Sequence, residues 1–173
     1  MKLNRFFHTT TILLLLATAG LTGCSSESAS KSQDEHTTHD TGHVAGDLIE
    51  ETSGANKLPS FLSNMDPQIA QVYQAVGYNY QTVEHMACYC GCGESVGHKS
   101  NRDCFIQEIK PSGAIVWNSH GATCNNCLEI AAESILMKSE GKNLREIRTH
   151  IDNKYKEGYG KPTPTPLPNE SSL

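Results

Sequence analysis

Cys88-Tyr89-Cys90-Gly91-Cys92 sets three thiols at alternate positions, and this stretch decides what kind of domain must surround it. Three more thiols follow, at Cys104 and in Cys124-Asn125-Asn126-Cys127. A thiol packs as a small hydrophobe, pairs as a disulfide, attacks as a nucleophile or binds a soft metal. Packing alone does not call for three thiols in five residues, so the crowding points to metal or disulfide chemistry. If the segment is extended, alternate side chains share one side and the three sulfurs face together. If it curls, Gly91 and Gly93 permit a tight turn around an ion. The Cys124/Cys127 spacing at a helix start puts both sulfurs on one face, where the helix dipole favours thiolate. Two sulfur groups far apart in sequence must therefore be brought together by the fold, and Cys104 can join either.

Histidines accompany the thiols. His98 lies between Cys92 and Cys104, and His120 stands just before Cys124 in Ser119-His120-Gly121. Both are candidate ligands because imidazole and thiolate together suit Zn(II) and copper. His85 is a weaker candidate. His150 is read as structural and Met86 as an apolar core residue.

Outward from the loop, the pattern is helical. Asp66-Pro67 supplies a cap and a first-turn proline, and Ile69, Val72, Tyr73 and Val76 follow at helical spacing. Gly77 is expected to weaken or end that helix. A second helix is predicted from Cys124 to Ser139, with Cys127, Leu128, Ala131, Ile135 and Leu136 inward and Gly141 as the stop. A third runs from Leu144 to Tyr155. Phe105 to Ile109 reads as a short strand or helix, and Ile115-Val116-Trp117 has the β-branched and aromatic bias of a strand. The expected fold is a small, mainly α domain with an irregular Cys-rich centre and a short β segment. Its apolar content is thin, so metal or disulfides are expected to supplement the core.

The ends differ from this core. Lys2 and Arg5 precede the apolar run Ile12 to Ala17, and Leu21-Thr22-Gly23-Cys24 closes it. This reads as a secretory signal, residues 1–23, ending in a lipobox. Cys24 is then the mature N-terminus and the lipidation site, holding the protein on the outer face of a membrane. Residues 24–57 are polar and read as a flexible tether, with His36, His39 and His43 within it. Residues 58–160 form the Cys/His-rich domain, and residues 161–173 a proline-rich extended tail. Removing residues 1–23 takes two of the 14 Lys+Arg and none of the 19 Asp+Glu, leaving 12 − 19 = −7 with histidine neutral. Such a charge argues against nucleic acid as a partner.

Taken together, Ala87-Cys88-Tyr89-Cys90-Gly91-Cys92, His98-Lys99-Ser100-Asn101, Asp103-Cys104-Phe105, Ser119-His120-Gly121, Cys124 and Cys127 resemble a family of bacterial lipoproteins named for a PCYCGC motif. The lipobox and Leu58-Pro59-Ser60-Phe61-Leu62 fit as well. Ala87 departs from the motif, standing where the family has proline; it relaxes the entry to the loop and removes no ligand. The resemblance implies an exported lipoprotein with a Cys/His site for a soft metal and no established reaction.

The first functional reading is thus a metal-binding lipoprotein with Cys88, Cys90, Cys92, Cys104, Cys124, Cys127, His98 and His120 as ligands. Copper as Cu(I) ranks ahead of zinc, because an exported sequestration site would use so many thiols. Six sulfurs exceed one tetrahedral zinc site, so a polynuclear cluster or two sites are expected. Two alternatives stand beside it. Six cysteines outside the cytoplasm form an even set able to staple a structural or interaction domain. Cys124/Cys127 also has the spacing of a thiol-disulfide oxidoreductase, but no βαβ pattern precedes it. No triad, phosphate loop or paired-carboxylate pattern stands out, and no enzyme is assigned.

Overall fold

Asp66 caps the first long helix by accepting a hydrogen bond from the Gln68 backbone N–H at 2.8 Å, with Pro67 at the first helical position. The computed structural model describes residues 46–169. Their elements run β1 (Ile49–Thr52), α1 (Pro67–Val83), α2 (Cys92–Ser95), β2 (Ile106–Ile109), β3 (Ile115–Asn118), α3 (Asn125–Ser139) and α4 (Leu144–Tyr155). Short 3-10 turns occupy Ser60–Leu62, Asn101–Cys104 and Ser119–Thr123. The proposed signal, Cys24 and the three tether histidines lie outside the described residues.

The strands form one antiparallel sheet in the order β1-β3-β2. The expectation of a mainly helical domain is therefore met only in part, and the class is mixed α and β. Ile115-Val116-Trp117 behaves as its composition predicts, but it sits in the middle of the sheet rather than alone. β1 supplies one neighbour, with Ile49 opposite Asn118 and Thr52 opposite Ile115. That strand falls inside the segment expected to be tether. Its exposed-to-buried pattern is carried by only four residues, too few for periodicity to announce.

Trp117 explains a second departure. Its indole is fully buried, and Nε1–H donates to Thr52 Oγ1 at 2.8 Å. A Cβ on Gly77 would come 2.8 Å from the Trp117 ring and 2.9 Å from Ala55 Cβ. Gly77 therefore does not end α1; it lets the helix pass close to Trp117. The helix continues to Val83 with a kink at Asn79 (φ −128°, ψ 28°), whose Nδ2 donates to Ala75 O at 2.8 Å. Tyr73 completes this part of the core. Its ring meets Phe105, Phe61 and Trp117 at 5.0, 5.8 and 6.0 Å between centroids. Its hydroxyl donates to Asn118 O at 2.7 Å.

α3 and α4 match their predicted spans to within a residue. Cys124 is the N-cap of α3, and Asn143 caps α4 in a reciprocal box with Glu146. On α3 the inward residues are Cys127, Ile130, Ala131 and Ser134, whereas Leu136, expected inward, is exposed. Ile147, Ile151 and Tyr155 bury the inner face of α4.

The chain past α4 is extended, as its prolines require, but it is not loose. Gly160 N–H donates to Tyr89 O at 2.8 Å and Thr163 N–H to Cys88 O at 2.9 Å. Thr163 Oγ1 accepts from Cys88 N–H at 2.8 Å, and Thr165 Oγ1 donates to Lys99 O at 2.7 Å. Arg148, itself buried, donates from Nη1 to the carbonyls of His85, Thr165 and Pro166. Residues 160–166 thus form a strap across the back of the cysteine loop. A Cβ on Gly160 would meet Gly91 N at 2.8 Å, so only glycine lets the strap come this close.

Candidate metal centre

The cysteine loop begins extended and then curls. Tyr89 points away from its neighbours, donating to Asp152 Oδ1 at 2.7 Å and stacking on Tyr155 at 5.8 Å. Cys88 and Cys90 consequently face the other side, with sulfurs 3.5 Å apart. Gly91 then adopts φ +85°, which a residue with a Cβ rarely takes, and starts the single turn of α2 that carries Cys92. Both geometries foreseen for this stretch are present, one after the other. The sequence Cys88–Cys90–Cys92 therefore places all three sulfurs in one group within 4.8 Å of one another.

The rest of the fold brings the distant ligands to that group. α3 delivers Cys127, whose sulfur lies 3.3 Å from Cys88 and 3.7 Å from Cys90. Asn101 holds the start of α3 by donating from Nδ2 to Cys127 O at 3.2 Å. The 3-10 turn at Asn101–Cys104 delivers Cys104, 3.7 Å from Cys92. His98 Nδ1 is 3.4 Å from Cys104 Sγ, and the His98 and His120 rings meet edge to face at 4.7 Å. His120 Nε2 lies 3.9 Å from Cys90 Sγ. All six predicted cysteines and both predicted histidines converge. Cys88, Cys92, Cys104, Cys127, His98 and His120 are buried; Cys90 and Cys124 are half-buried.

These spacings suit metal ligation. A disulfide needs about 2.0 Å between sulfurs, and the six thiols are free. A tetrahedral ion with bonds of about 2.3 Å to sulfur separates its ligands by about 3.8 Å. The observed sulfur separations of 3.3 to 3.7 Å approach that edge. Cys92, Cys104, His98 and His120 together make a buried set of two sulfurs and two imidazoles. Three further sets are all sulfur: Cys88/Cys104/Cys127, Cys88/Cys90/Cys92 and Cys90/Cys124/Cys127.

Electrostatics distinguish the thiols from one another. Hydrogen bonds from Cys104, then Cys124, Cys127 and Cys88, hold Cys90 far below the usual thiol value. Cys88 is also lowered, chiefly by Cys104 and Cys127. Burial pushes Cys104 well up. Contact with Cys127 lowers Cys124, but Cys90 and burial outweigh it and leave Cys124 at about 11. The thiolate character expected at the start of α3 therefore appears on the loop instead, because thiols donating to one anion cannot all be anions themselves. Burial, and then the neighbouring His120, hold His98 below the ordinary imidazole value. Burial opposes charge on His120 as well, but Cys90 and Asp47 more than compensate.

Asp47 is the functional residue that sequence reasoning missed. Its Oδ2 lies 3.1 Å from His120 Nδ1, leaving Nε2 turned toward the sulfurs. A carboxylate on the outer nitrogen of an imidazole fixes its orientation and raises its basicity as a ligand. β1 and β3 bring the two together. Ser119 Oγ accepts from Leu48 N–H at 2.8 Å, and Asn118 Oδ1 accepts from His120 N–H at 2.8 Å. The weaker candidates fall outside the centre. His85 lies beside Glu84 on the surface, His150 pairs with Glu133 at 2.7 Å, and Met86 is core.

Fold and site together define a small mixed α and β domain built around a buried Cys/His cluster able to hold a metal ion. The chain belongs to the family described as "Protein of unknown function with PCYCGC motif", whose model matches residues 12–168. No curated protein and no solved structure gives a match.

Proposed function

We propose that this chain is an extracytoplasmic lipoprotein whose Cys/His cluster binds a soft metal, Cu(I) ahead of Zn(II), for sequestration or delivery. The observation that carries the metal reading is the convergence of six sulfurs and two imidazoles from four separate segments into one largely buried group. Thiolates select Cu(I) and Zn(II) among common ions, and the excess of sulfur over imidazole favours Cu(I). The buried position excludes water and competing oxidants. The half-buried Cys90 and Cys124 give a partner thiol a route to the ions. Asp47 orients His120, and the strap holds the loop through the backbone of Cys88 and Tyr89. Lipid on Cys24 anchors the protein, an assignment that rests on the sequence of residues 1–24: Lys2 and Arg5, the apolar run from Ile12, and Leu21-Thr22-Gly23-Cys24.

Elemental analysis of protein purified with reductant and without added metal tests the reading, together with a free-thiol count. The expected result is bound copper or zinc, with thiols that react only after chelation. Cys90→Ser and Cys124→Ser should each lower metal content sharply. Full metal content in both variants, or a metal-free protein with three disulfides, would replace this reading with a stapled domain. For the anchor, Cys24→Ala should move the protein from the membrane to the soluble fraction; unchanged membrane association defeats that part.

A further inference from the structure

The four ligand sets are not alternatives to one another; they are linked through shared sulfurs. Cys88 belongs to two of the all-sulfur sets, and so do Cys90 and Cys127. These three shared sulfurs form a tight triangle with sides of 3.3, 3.5 and 3.7 Å. Each side is completed by one outer sulfur: Cys104 with Cys88 and Cys127, Cys92 with Cys88 and Cys90, and Cys124 with Cys90 and Cys127. Two of the outer sulfurs, Cys92 and Cys104, then pair with His98 and His120 to make the fourth set. Of the six cluster cysteines, every one except Cys124 thus belongs to two sets.

We propose that the centre holds four Cu(I) ions as one thiolate-bridged cluster, three in the sulfur triads and the fourth between Cys92, Cys104, His98 and His120. This deepens the soft-metal reading and rests on it. The sharing pattern decides against four zinc ions, because zinc in a closed site takes four ligands and each triad offers three. Cu(I) accepts three sulfurs. Charge points the same way. Ions in neighbouring triads are one bridging sulfur apart, and repulsion between divalent ions there would be about fourfold that between monovalent ones. The fourth position differs in kind, since it alone has imidazole donors; it is as deeply buried as the Cys88/Cys104/Cys127 triad.

The test is a Cu(I) titration of the reduced full chain against a competing Cu(I) chelator, read by native mass spectrometry. Metal-free and four-copper species should dominate, with little of the intermediates, because bridging sulfurs couple the sites. X-ray absorption of the loaded chain should show a copper–copper shell with mainly sulfur and a minor nitrogen contribution. His98→Ala should saturate at three ions. Saturation of the unaltered chain at one or two ions, without a copper–copper shell, overturns the cluster and leaves the soft-metal reading standing. Failure of the reduced chain to bind Cu(I) at all removes both. Four ions retained by folded His98→Ala overturns the assignment of the fourth position. The absorption measurement uses the unaltered chain, so it decides nuclearity even if that variant does not fold.

Discussion

Around Tyr73 the core is aromatic and hydrocarbon, with Phe61, Phe105 and Trp117 packed within 6.0 Å of its ring. Around Cys88 it is sulfur and imidazole, contributed by a loop, two 3-10 turns and the start of α3. The two regions adjoin at Cys104-Phe105, where one residue faces the cluster and the next faces Tyr73. The aromatic region is held by apolar burial and by the hydrogen bonds of Tyr73 and Trp117, all from the chain itself. The sulfur region crowds thiols that cannot all ionise together, and a cation that the unfolded chain cannot bind as well would let them do so. On the proposed reading, the difference teaches that one core sets the domain's shape and the other is completed by a bound ion.

Substitutions should separate the two. Trp117→Ala leaves a cavity and removes the indole N–H that Thr52 Oγ1 accepts, and should cost about 3–5 kcal/mol in denaturant unfolding. That loss should be equal with metal and with chelator. A loss that appears only in the metal-free protein would show that the aromatic region depends on the ion. Thr163→Val removes the acceptor for the buried Cys88 N–H and should cost about 1–3 kcal/mol. It should also speed metal removal by a chelator, because the strap holds the loop that carries three ligands. Asp47→Asn should weaken metal binding about 10- to 100-fold in chelator competition, with a smaller change in metal-free stability. An unchanged affinity would show that His120 needs no orienting partner.

The smallest effect is expected where neither region is touched. Glu133 bridges α3 to α4 through Lys154 at 2.6 Å and His150 at 2.7 Å. Glu133→Gln should cost at most about 1 kcal/mol, since both partners are substantially exposed. Burial tends to raise the Glu133 carboxyl, but hydrogen bonds from Lys154 and His150 hold it below the usual value. Its contribution is therefore present above the unfolded carboxylate value of about 4.3 and lost as pH falls through the lower folded value. The variant and the unaltered protein should converge in acid melts, with or without metal.

How far the sequence foretold this arrangement follows from how each feature is encoded. α3 and α4 repeat their apolar residues over several turns, and Asp66-Pro67 marks the start of α1 by local chemistry, so these elements were legible. The candidate ligands were legible because thiols in that density have few other uses. β1 was not, because four residues gain strand character only by pairing with β3. Asp47 was hidden for the same reason: it meets His120 only through that pairing, 73 residues away. Gly77 misled because its role is set by Trp117 across the core, not by its neighbours in α1. The strap's contacts were not legible, because prolines predict extension but say nothing of what Thr163 and Thr165 bond to.

The central claim is that the sulfur region is completed by a soft ion in the native state. Thermal melts of the reduced full chain, followed through its single tryptophan, test it most directly. With Cu(I) at a thousand times its dissociation constant the native state should gain about 4 kcal/mol for each ion bound, over the same chain with chelator. The midpoint should rise accordingly, and His120→Ala should shrink the rise. Identical melts with Cu(I), with Zn(II) and with chelator would contradict the account.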